Sequence, residues 1–470
     1  MSLKVYNSKT KNVEHFKPGG SQVTIYSCGP TVYNRVHIGN IRSFLFADLL
    51  SKTLVFLGYK VNHAINLTDI DDKTIQGVKE CTDTPSIEDL RGYTNRFIEQ
   101  FLEDFKLLEL REPEHMPRAT DYISEMQSLV SSLLKKKFAY EKEGSVYFSI
   151  EKYKEYGSLS NVDKDAIKAG TRYNTDEYSK EDIRDFVLWK SEPATEQIAW
   201  DYPSGRGRPG WHLECSAMIQ DVFKGPIDFH TGGVDLLFPH HENEIAQSCC
   251  GYGHQFVSYW MHCEHLQVDG QKMSKSLGNF YTLADILEKG YSPRDLKLFM
   301  LTNHYRQKLN FTWETLEQTK SSRDRFVELK KRLDRALIDD EAQTVDWTID
   351  YLKNFTEELA NDLNTPRAYA VMHEFAKFFH QQLDTNEERL RKADFDKAMY
   401  LFAKFIEIFP VIESSDQEAE IPPELQEKLE QRQQARKDKN YPLADQLRDE
   451  IESAGYKIVD TSQGSFLERQ

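Results

Sequence analysis

Cysteine is scarce in this chain: six residues in 470. That is too few for a disulfide scaffold, so cysteines that converge are expected to be metal ligands rather than bridges. Long apolar runs are missing too. The most hydrophobic stretch, Phe44 to Tyr59, is broken by Asp48, Ser51 and Lys52. It is too short and too polar to span a bilayer. Residues 1–20 carry Lys4, Lys9, Lys11 and Lys17 with no apolar core between them, so no secretory leader is expected. A soluble, cytoplasmic chain with no membrane partner is the reading. A positive net charge is also lacking. The formal charge of −16 excludes a globally basic nucleic-acid coat but leaves room for a local basic patch. No internal repeat, long low-complexity tract or interface signature is visible, and a monomer is expected.

What is present fits a multidomain globular protein: 39% hydrophobic and 29% charged residues. Residues 22–27 alternate and are rich in β-formers, which predicts a strand. Cys28-Gly29-Pro30 is a turn signal. Ile41, Phe44, Leu45, Leu49, Leu50 and Leu54 recur at helical spacing, and Gly58 stops that helix. Val61 to Leu67 reads as a second strand. The fold class is therefore α/β, a Rossmann-type parallel sheet begun by a βαβ unit. Residues 86–140 look helical. The mixed, polar stretch 141–205 reads as an insertion between two halves of the sheet. Asp269-Gly270 predicts a hairpin turn, and nearly all of the chain after 283 is helical in pattern. The expected segments are 1–115 and 206–282 for the two catalytic halves, with 116–205 inserted between them. A contact region follows at 283–340, then a helical bundle at 341–410, a linker at 411–423 and a small module at 424–470.

Two segments suit phosphate. His37-Ile38-Gly39-Asn40 sits where the first strand has turned into the first helix. A helix start offers free N–H groups and the positive end of its dipole, and Gly39 permits close approach to the backbone. By itself this tetrapeptide also reads as an ordinary turn. Lys272-Met273-Ser274-Lys275-Ser276 follows the hairpin, and its lysines can offset charge building on a triphosphate. A solvated surface loop is the other reading of that segment. The pair, in this order, is more specific than either alone, and it resembles the signature pair of class I aminoacyl-tRNA synthetases. Asn40 stands where that family usually has histidine.

Four scattered residues could hold a metal: Cys28, Cys215, His240 and Glu244. The last two lie i, i+4 on one helix face. Two thiolates, one imidazole and one carboxylate form a plausible zinc set, although scattered side chains need share nothing. The segments around them point further. Tyr26 to Tyr33, Asn66 to Lys73, Gly144 to Phe148, Asp185 to Lys190, Gly210 to Met218 and Asp228 to Ser248 together resemble the cysteinyl-tRNA synthetase family.

The resemblance implies a two-step reaction using ATP, magnesium with the nucleotide, L-cysteine, and the tRNA for cysteine. It implies one zinc ion at Cys28, Cys215, His240 and Glu244. It implies cysteine contacts from Gly29, Thr68 and Trp211. It gives ATP contacts to His37, Gly39, Asn40 and Lys275, and to a loop carrying His230, Gly232, Gly233 and Asp235. His37, Asn40, Lys272 and Lys275 are the expected catalytic residues. A same-fold enzyme joining cysteine to an amino sugar fits less well, because the helical tail would have no task in it.

Seven cations lie between 320 and 335: Lys320, Arg323, Arg325, Lys330, Lys331, Arg332 and Arg335. Phe326, Leu329 and Leu333 share one helical face, so the cations are expected on another. Such a stripe is either a solvated face or a track for a phosphate backbone; its place after the lysine loop resembles the family's stem-contact region. Arg436, Tyr441 and Asp445 resemble the family's anticodon contacts, with Tyr441 standing where tryptophan is usual. Unpaired bases are read by stacking and by edge hydrogen bonds.

Overall fold

The computed structural model describes residues 2–161, 185–274, 277–412, 422–461 and 464–469. They fall into two compact units, 1–411 and 412–470.

The first unit opens with an antiparallel hairpin, β1 (Lys4–Asn7) and β2 (Asn12–His15). β3 (Val23–Ser27) then leads through α1 (Ile38–Phe56) to β4 (Val61–Ile65), which lies parallel to β3. This is the expected βαβ unit. Gly58 leaves α1 at φ +89, a conformation glycine adopts without strain. α1 is covered on nearly every side, so its buried polar groups need partners. Arg42 donates to the carbonyl oxygens of His265 and Gln307. Asp48 sits 3.0 Å from Lys52 and 3.3 Å from the buried Lys297.

α2 (Asp72–Lys79) and α3 (Ile87–Leu107) follow. The helical reading of 86–140 fails between them and α4 (Ile123–Lys135). Pro113 and Pro117 cannot continue a helix, and the intervening chain runs extended beside β4. Ile65 N–H donates to the His115 carbonyl at 3.0 Å, and Leu67 N–H to Pro117 at 2.8 Å. The first half of the sheet therefore draws on residues past 115. The inserted part forms its own antiparallel sheet, in order β5 (Ala139–Lys142), β6 (Ser145–Ser149), β7 (Asp185–Ser191) and β8 (Gly207–Pro209).

α5 (Trp211–Phe223), β9 (Ile227–Gly233), α6 (Glu242–Tyr252) and β10 (Val257–Cys263) complete the main sheet. Its order is β10-β9-β3-β4, all parallel. Parallel sheets of this kind bind ligands beyond the carboxyl ends of their strands. Cys28, Thr68 and Gly232-Gly233 stand at those ends.

β11 (Leu266–Val268) and β12 (Gln271–Lys272) form the predicted hairpin. Asp269 and Gly270 both have positive φ, 50 and 72, as a tight two-residue turn needs. β13 (Leu309–Phe311) pairs parallel with β11. That strand corrects the nearly all-helical reading after 283: Phe311 is fully buried between the hairpin and the helices.

The helices are α7 (Leu283–Glu288), α8 (Pro293–Leu301), α9 (Trp313–Arg335), α10 (Tyr351–Leu359), α11 (Thr365–Thr385) and α12 (Lys392–Ile406). Phe355, Phe375, Phe379 and Phe405 fill the space between α10, α11 and α12. Asp362, between α10 and α11, ties this bundle to the start of the chain. Its carboxylate accepts from Tyr6 N–H at 2.7 Å, from the Tyr305 hydroxyl at 2.6 Å and from Arg306 Nε at 2.8 Å.

In the second unit, α13 (Pro423–Lys437) packs on α14 (Tyr441–Ser453), and a hairpin of Tyr456–Thr461 with Gly464–Arg469 closes it. Leu425, Leu429, Ile451 and Leu467 form its core. Most of the expected linker, residues 413–421, lies outside the described residues.

Candidate active site

Cys28 leaves the end of β3, held by its N–H on the Thr231 carbonyl at 3.0 Å. Cys215 lies inside α5, His240 in the turn before α6, and Glu244 in the first turn of α6. The fold brings these four together. Cys215 Sγ meets the Cys28 thiol and stands 3.6 Å from His240 Nε2. His240 Nε2 stands 2.9 Å from Glu244 Oε1. That carboxylate oxygen is buried and forms an ion pair with the ring. Two sulfurs, a nitrogen and an oxygen gathered this closely offer four donors to one ion.

Without a metal ion the cluster balances its charge internally. Burial pushes both thiols up, Cys215 well above its ordinary range. Without a cation they stay protonated; a metal ion draws the protons off. Burial opposes charge on His240, yet Glu244 and Cys215 push it up to about 10. Burial would raise Glu244, but His230 and His240 hold it down to about 2. The site is thus a buried Cys/His/Glu cluster whose donor set fits zinc. Donor atoms of Cys28, His240, His241 and Glu244 all lie within 4.8 Å of one another.

Beside the cluster, a Cβ on Gly29 would collide with the Asn66 carbonyl oxygen, and Gly29 N–H donates to Asn66 Oδ1 at 2.8 Å. Thr68 is buried, and its hydroxyl donates to Glu214 Oε2 at 2.8 Å. Burial pushes Glu214 well above the usual carboxylate range. Trp211, in the first turn of α5, stacks on His240 with ring centroids 4.1 Å apart.

The start of α1 differs from expectation. His37 is its cap: the ring Nδ1 accepts from Gly39 N–H at 3.0 Å and from Asn40 N–H at 3.2 Å. Ile38 N–H donates to the Tyr281 carbonyl at 2.9 Å. The helix therefore presents no open N–H groups here, because a histidine at the cap has already taken them. Asn40 Oδ1 accepts from His37 N–H at 3.3 Å, which completes a capping box. Burial holds His37 down to about 4, so its ring is neutral. A Cβ on Gly39 would sit 2.8 Å from that ring and 3.4 Å from Met273. Gly39 makes room for His37, and the two signature segments touch through Met273.

Lys272 ends β12, and Asn279 spans the lysine loop's described ends. Its side chain donates to the Lys272 carbonyl at 3.1 Å and accepts from Ser274 N–H at 2.8 Å. Lys275 and Ser276 lie outside the described residues.

The expected nucleotide loop begins inside a strand. His230, Gly232 and Gly233 belong to strand β9 and are buried; of that group only Asp235 is exposed. His230 Nε2 lies 2.9 Å from Glu244 Oε2, and its ring stacks on Trp260. Through that nitrogen it faces the metal cluster. A Cβ on Gly232 would sit 2.9 Å from the His241 ring.

Several residues here were not legible beforehand. His241, His262, Glu214, Asn66 and Asn279 all shape the site. Adjacency to His240 could have flagged His241. Glu214 carries no signal, since a glutamate in a helical segment reads as surface.

Residues 15–321 match the family described as tRNA synthetases class I (C) catalytic domain, and residues 354–411 match the DALR domain. A cysteine–tRNA ligase of Leptospira interrogans is 43% identical over 474 residues, covering 99% of this chain and 98% of that protein. The chain belongs to the class I cysteine–tRNA ligase family. The cysteine–tRNA ligase of Protochlamydia amoebophila is likewise 43% identical over 475 residues, covering 100% of this chain and 98% of that protein. Methionyl-tRNA synthetase of Mycobacterium tuberculosis, solved with methionyl-adenylate, shares the fold. Its TM-score is 0.58 at 12% identity, covering 83% of this chain and 92% of that one. The chain is an enzyme, and aminoacylation of tRNA through an ATP-derived aminoacyl-adenylate is the reaction of its family.

The residues expected to face RNA are placed unevenly. The stripe on α9 is not simply open cation: Arg323 lies 3.3 Å from Asp295, and Arg332 binds Asp384 and Glu388 on the bundle. Lys330 pairs with Asp334. Arg323 and Arg332 thus hold α9 to its neighbours, while Arg325 and Arg335 are exposed. In the second unit Arg436, Tyr441 and Asp445 are all exposed around the turn from α13 to α14, with Tyr441 at 60%. Among the described residues no helix is long and apolar enough to cross a membrane.

Proposed function

We propose that the enzyme selects L-cysteine through a zinc ion held by Cys28, Cys215, His240 and Glu244. The observation that carries this reading is the convergence of two sulfurs, His240 Nε2 and the buried Glu244 Oε1 beside Trp211. Cysteine and serine differ too little in shape for packing alone to separate them. When bound, zinc supplies a thiolate-preferring partner for the substrate sulfur, which serine lacks. Trp211 and Gly29 shape the space next to it, and Thr68, fixed by Glu214, presents a polar edge.

The cysteine carboxylate then attacks the α-phosphate of ATP. Pyrophosphate leaves, and a terminal ribose hydroxyl of the tRNA attacks the adenylate carbonyl. No side chain becomes a covalent nucleophile; the work is positioning and charge stabilisation. Lys272 and Lys275 stabilise the phosphates, and magnesium accompanies ATP. His37 and Asn40 contribute through ring Nε2 and the side-chain amide, the polar atoms their capping box leaves over. Gly39 and Asp235 border the nucleotide, and buried Gly232 and Gly233 set the strand end behind it. The acting form is a monomer in the cytoplasm. Residues 283–340 meet the acceptor stem, the bundle at 341–410 supports the tRNA, and 424–470 meets the anticodon.

The test is charging of unfractionated tRNA with labelled cysteine or serine. Cysteine is expected on tRNA and serine not; equal charging of both would overturn the zinc-based selection. In the second unit, Tyr441→Ala is expected to slow tRNA charging roughly 10-fold, as loss of one stacking surface would. Cysteine-dependent pyrophosphate exchange should stay unchanged. Equal loss of both activities would remove Tyr441 from the anticodon contact.

A further inference from the structure

A buried polar chain runs from the opening hairpin to the cysteine site. Ser8 Oγ lies 2.7 Å from His262 Nδ1, His262 Nε2 lies 2.8 Å from His241 Nδ1, and His241 Nε2 lies 3.3 Å from Cys28 Sγ. Ser8, His262 and His241 are 8%, 6% and 0% exposed. A hydroxyl and two imidazoles inside a sheet are unfavourable unless every polar atom has a partner. Here both nitrogens of both rings are occupied.

Backbone geometry is arranged to keep them so. Ser8 N–H donates to the Trp260 carbonyl at 2.8 Å, and Trp260 N–H donates to Asn7 Oδ1 at 3.1 Å, which pins the hairpin turn to β10. Gly232 leaves the space the His241 ring fills.

Neutral imidazoles carry one N–H and one lone pair each. The chain therefore has two consistent patterns, with all donors pointing toward the sulfur or all pointing away from it. A sulfur acting as a metal ligand has no proton and can only accept. That fixes the direction: Ser8 O–H to His262 Nδ1, His262 Nε2–H to His241 Nδ1, His241 Nε2–H to Cys28 Sγ.

We propose that Ser8 and His262 are positioning residues that lock His241 as an N–H donor to the Cys28 thiolate. His241 then stays outside the metal shell, although it stands as close to the cluster as the ligands do. Partners of this kind orient a ligand and tune its donor strength, and they govern metal affinity as well as activity. The β1–β2 hairpin thereby becomes part of the amino-acid site without touching substrate.

The inference rests on the zinc reading, and the test separates the two. The full-length chain, Ser8→Ala and Ser8→Thr are each loaded with cobalt(II), which reports thiolate ligation by its absorption. Ser8→Ala is expected to weaken cobalt binding about tenfold in chelator competition. The sulfur-to-cobalt charge-transfer band should shift, and KM for cysteine should rise while KM for ATP stays level. Ser8→Thr keeps the hydroxyl and is expected to restore all three. An Ser8→Ala protein identical to the parent in affinity and spectrum overturns the inference. So does a Ser8→Thr protein as impaired as Ser8→Ala, since packing would then be the cause. A parent chain that takes up neither zinc nor cobalt overturns the zinc reading and this inference together. Normal parent uptake with an unaltered Ser8→Ala protein overturns this inference alone.

Discussion

Cys215→Ala is expected to lower metal affinity by about 10²–10³ and to remove cysteine binding with it. The magnitude follows from sharing the roughly 10–16 kcal/mol of a tightly held zinc among four ligands. Removing one leaves Cys28, His240 and Glu244, and the cluster loses its most buried sulfur. The chain should still fold, because the change empties a small volume inside α5 without breaking a hydrogen-bond ladder. Metal content by mass spectrometry, cysteine binding by calorimetry and ATP binding on the same sample decide the matter. Loss of the first two with ATP binding intact is the expected outcome. Full zinc occupancy in the variant would remove Cys215 from the ligand set.

The second large effect is expected at the other end of the site. Lys275→Ala should slow adenylate formation by roughly 10²–10³, the usual cost of losing one donor that acts on charge developing in the transition state. The chemistry asks for a cation there because pyrophosphate departs with growing negative charge. Lys272 alone cannot follow it, since its backbone is fixed in β12 and clamped by Asn279. Cysteine-dependent pyrophosphate exchange under single-turnover conditions measures the step directly. Cysteine binding should be unaltered. An unchanged rate would leave Lys275 without a role in phosphate stabilisation.

The βαβ start and the Asp269-Gly270 hairpin were legible because local signals agreed with the tertiary result. Alternating apolar residues, a helical repeat and a turn dipeptide each act over a few positions. The four proposed metal ligands could be picked out from residue type, and the i, i+4 spacing of His240 and Glu244 does bring their side chains together. What stayed hidden depended on partners far away in sequence. The chain around His115 reads as polar and Pro-rich, and only β4 makes it an edge of the sheet. His230 sits in a Gly-rich segment that looks like a loop, but β3 and β10 bury it on both sides. The cations of α9 advertise a nucleic-acid surface until Asp295, Asp384 and Glu388, from distant parts of the chain, claim Arg323 and Arg332. At the start of α1, the helix-start rule was sound, but His37 satisfies the same N–H groups a phosphate would want.

The link from Tyr6 to Asp362 has a consequence for how the chain is made. The first strand of the protein leaves the ribosome more than 350 residues ahead of a carboxylate that receives its N–H. Trp260, which holds Asn7 and Ser8, also arrives late. At about 5–20 residues per second the opening hairpin stays without its final neighbours for on the order of tens of seconds. Its two strands can pair with each other at once, yet their partners on β10 and beside the bundle follow only as synthesis reaches Trp260 and then Asp362. The opening hairpin therefore waits for hydrogen-bond partners that lie more than 350 residues downstream.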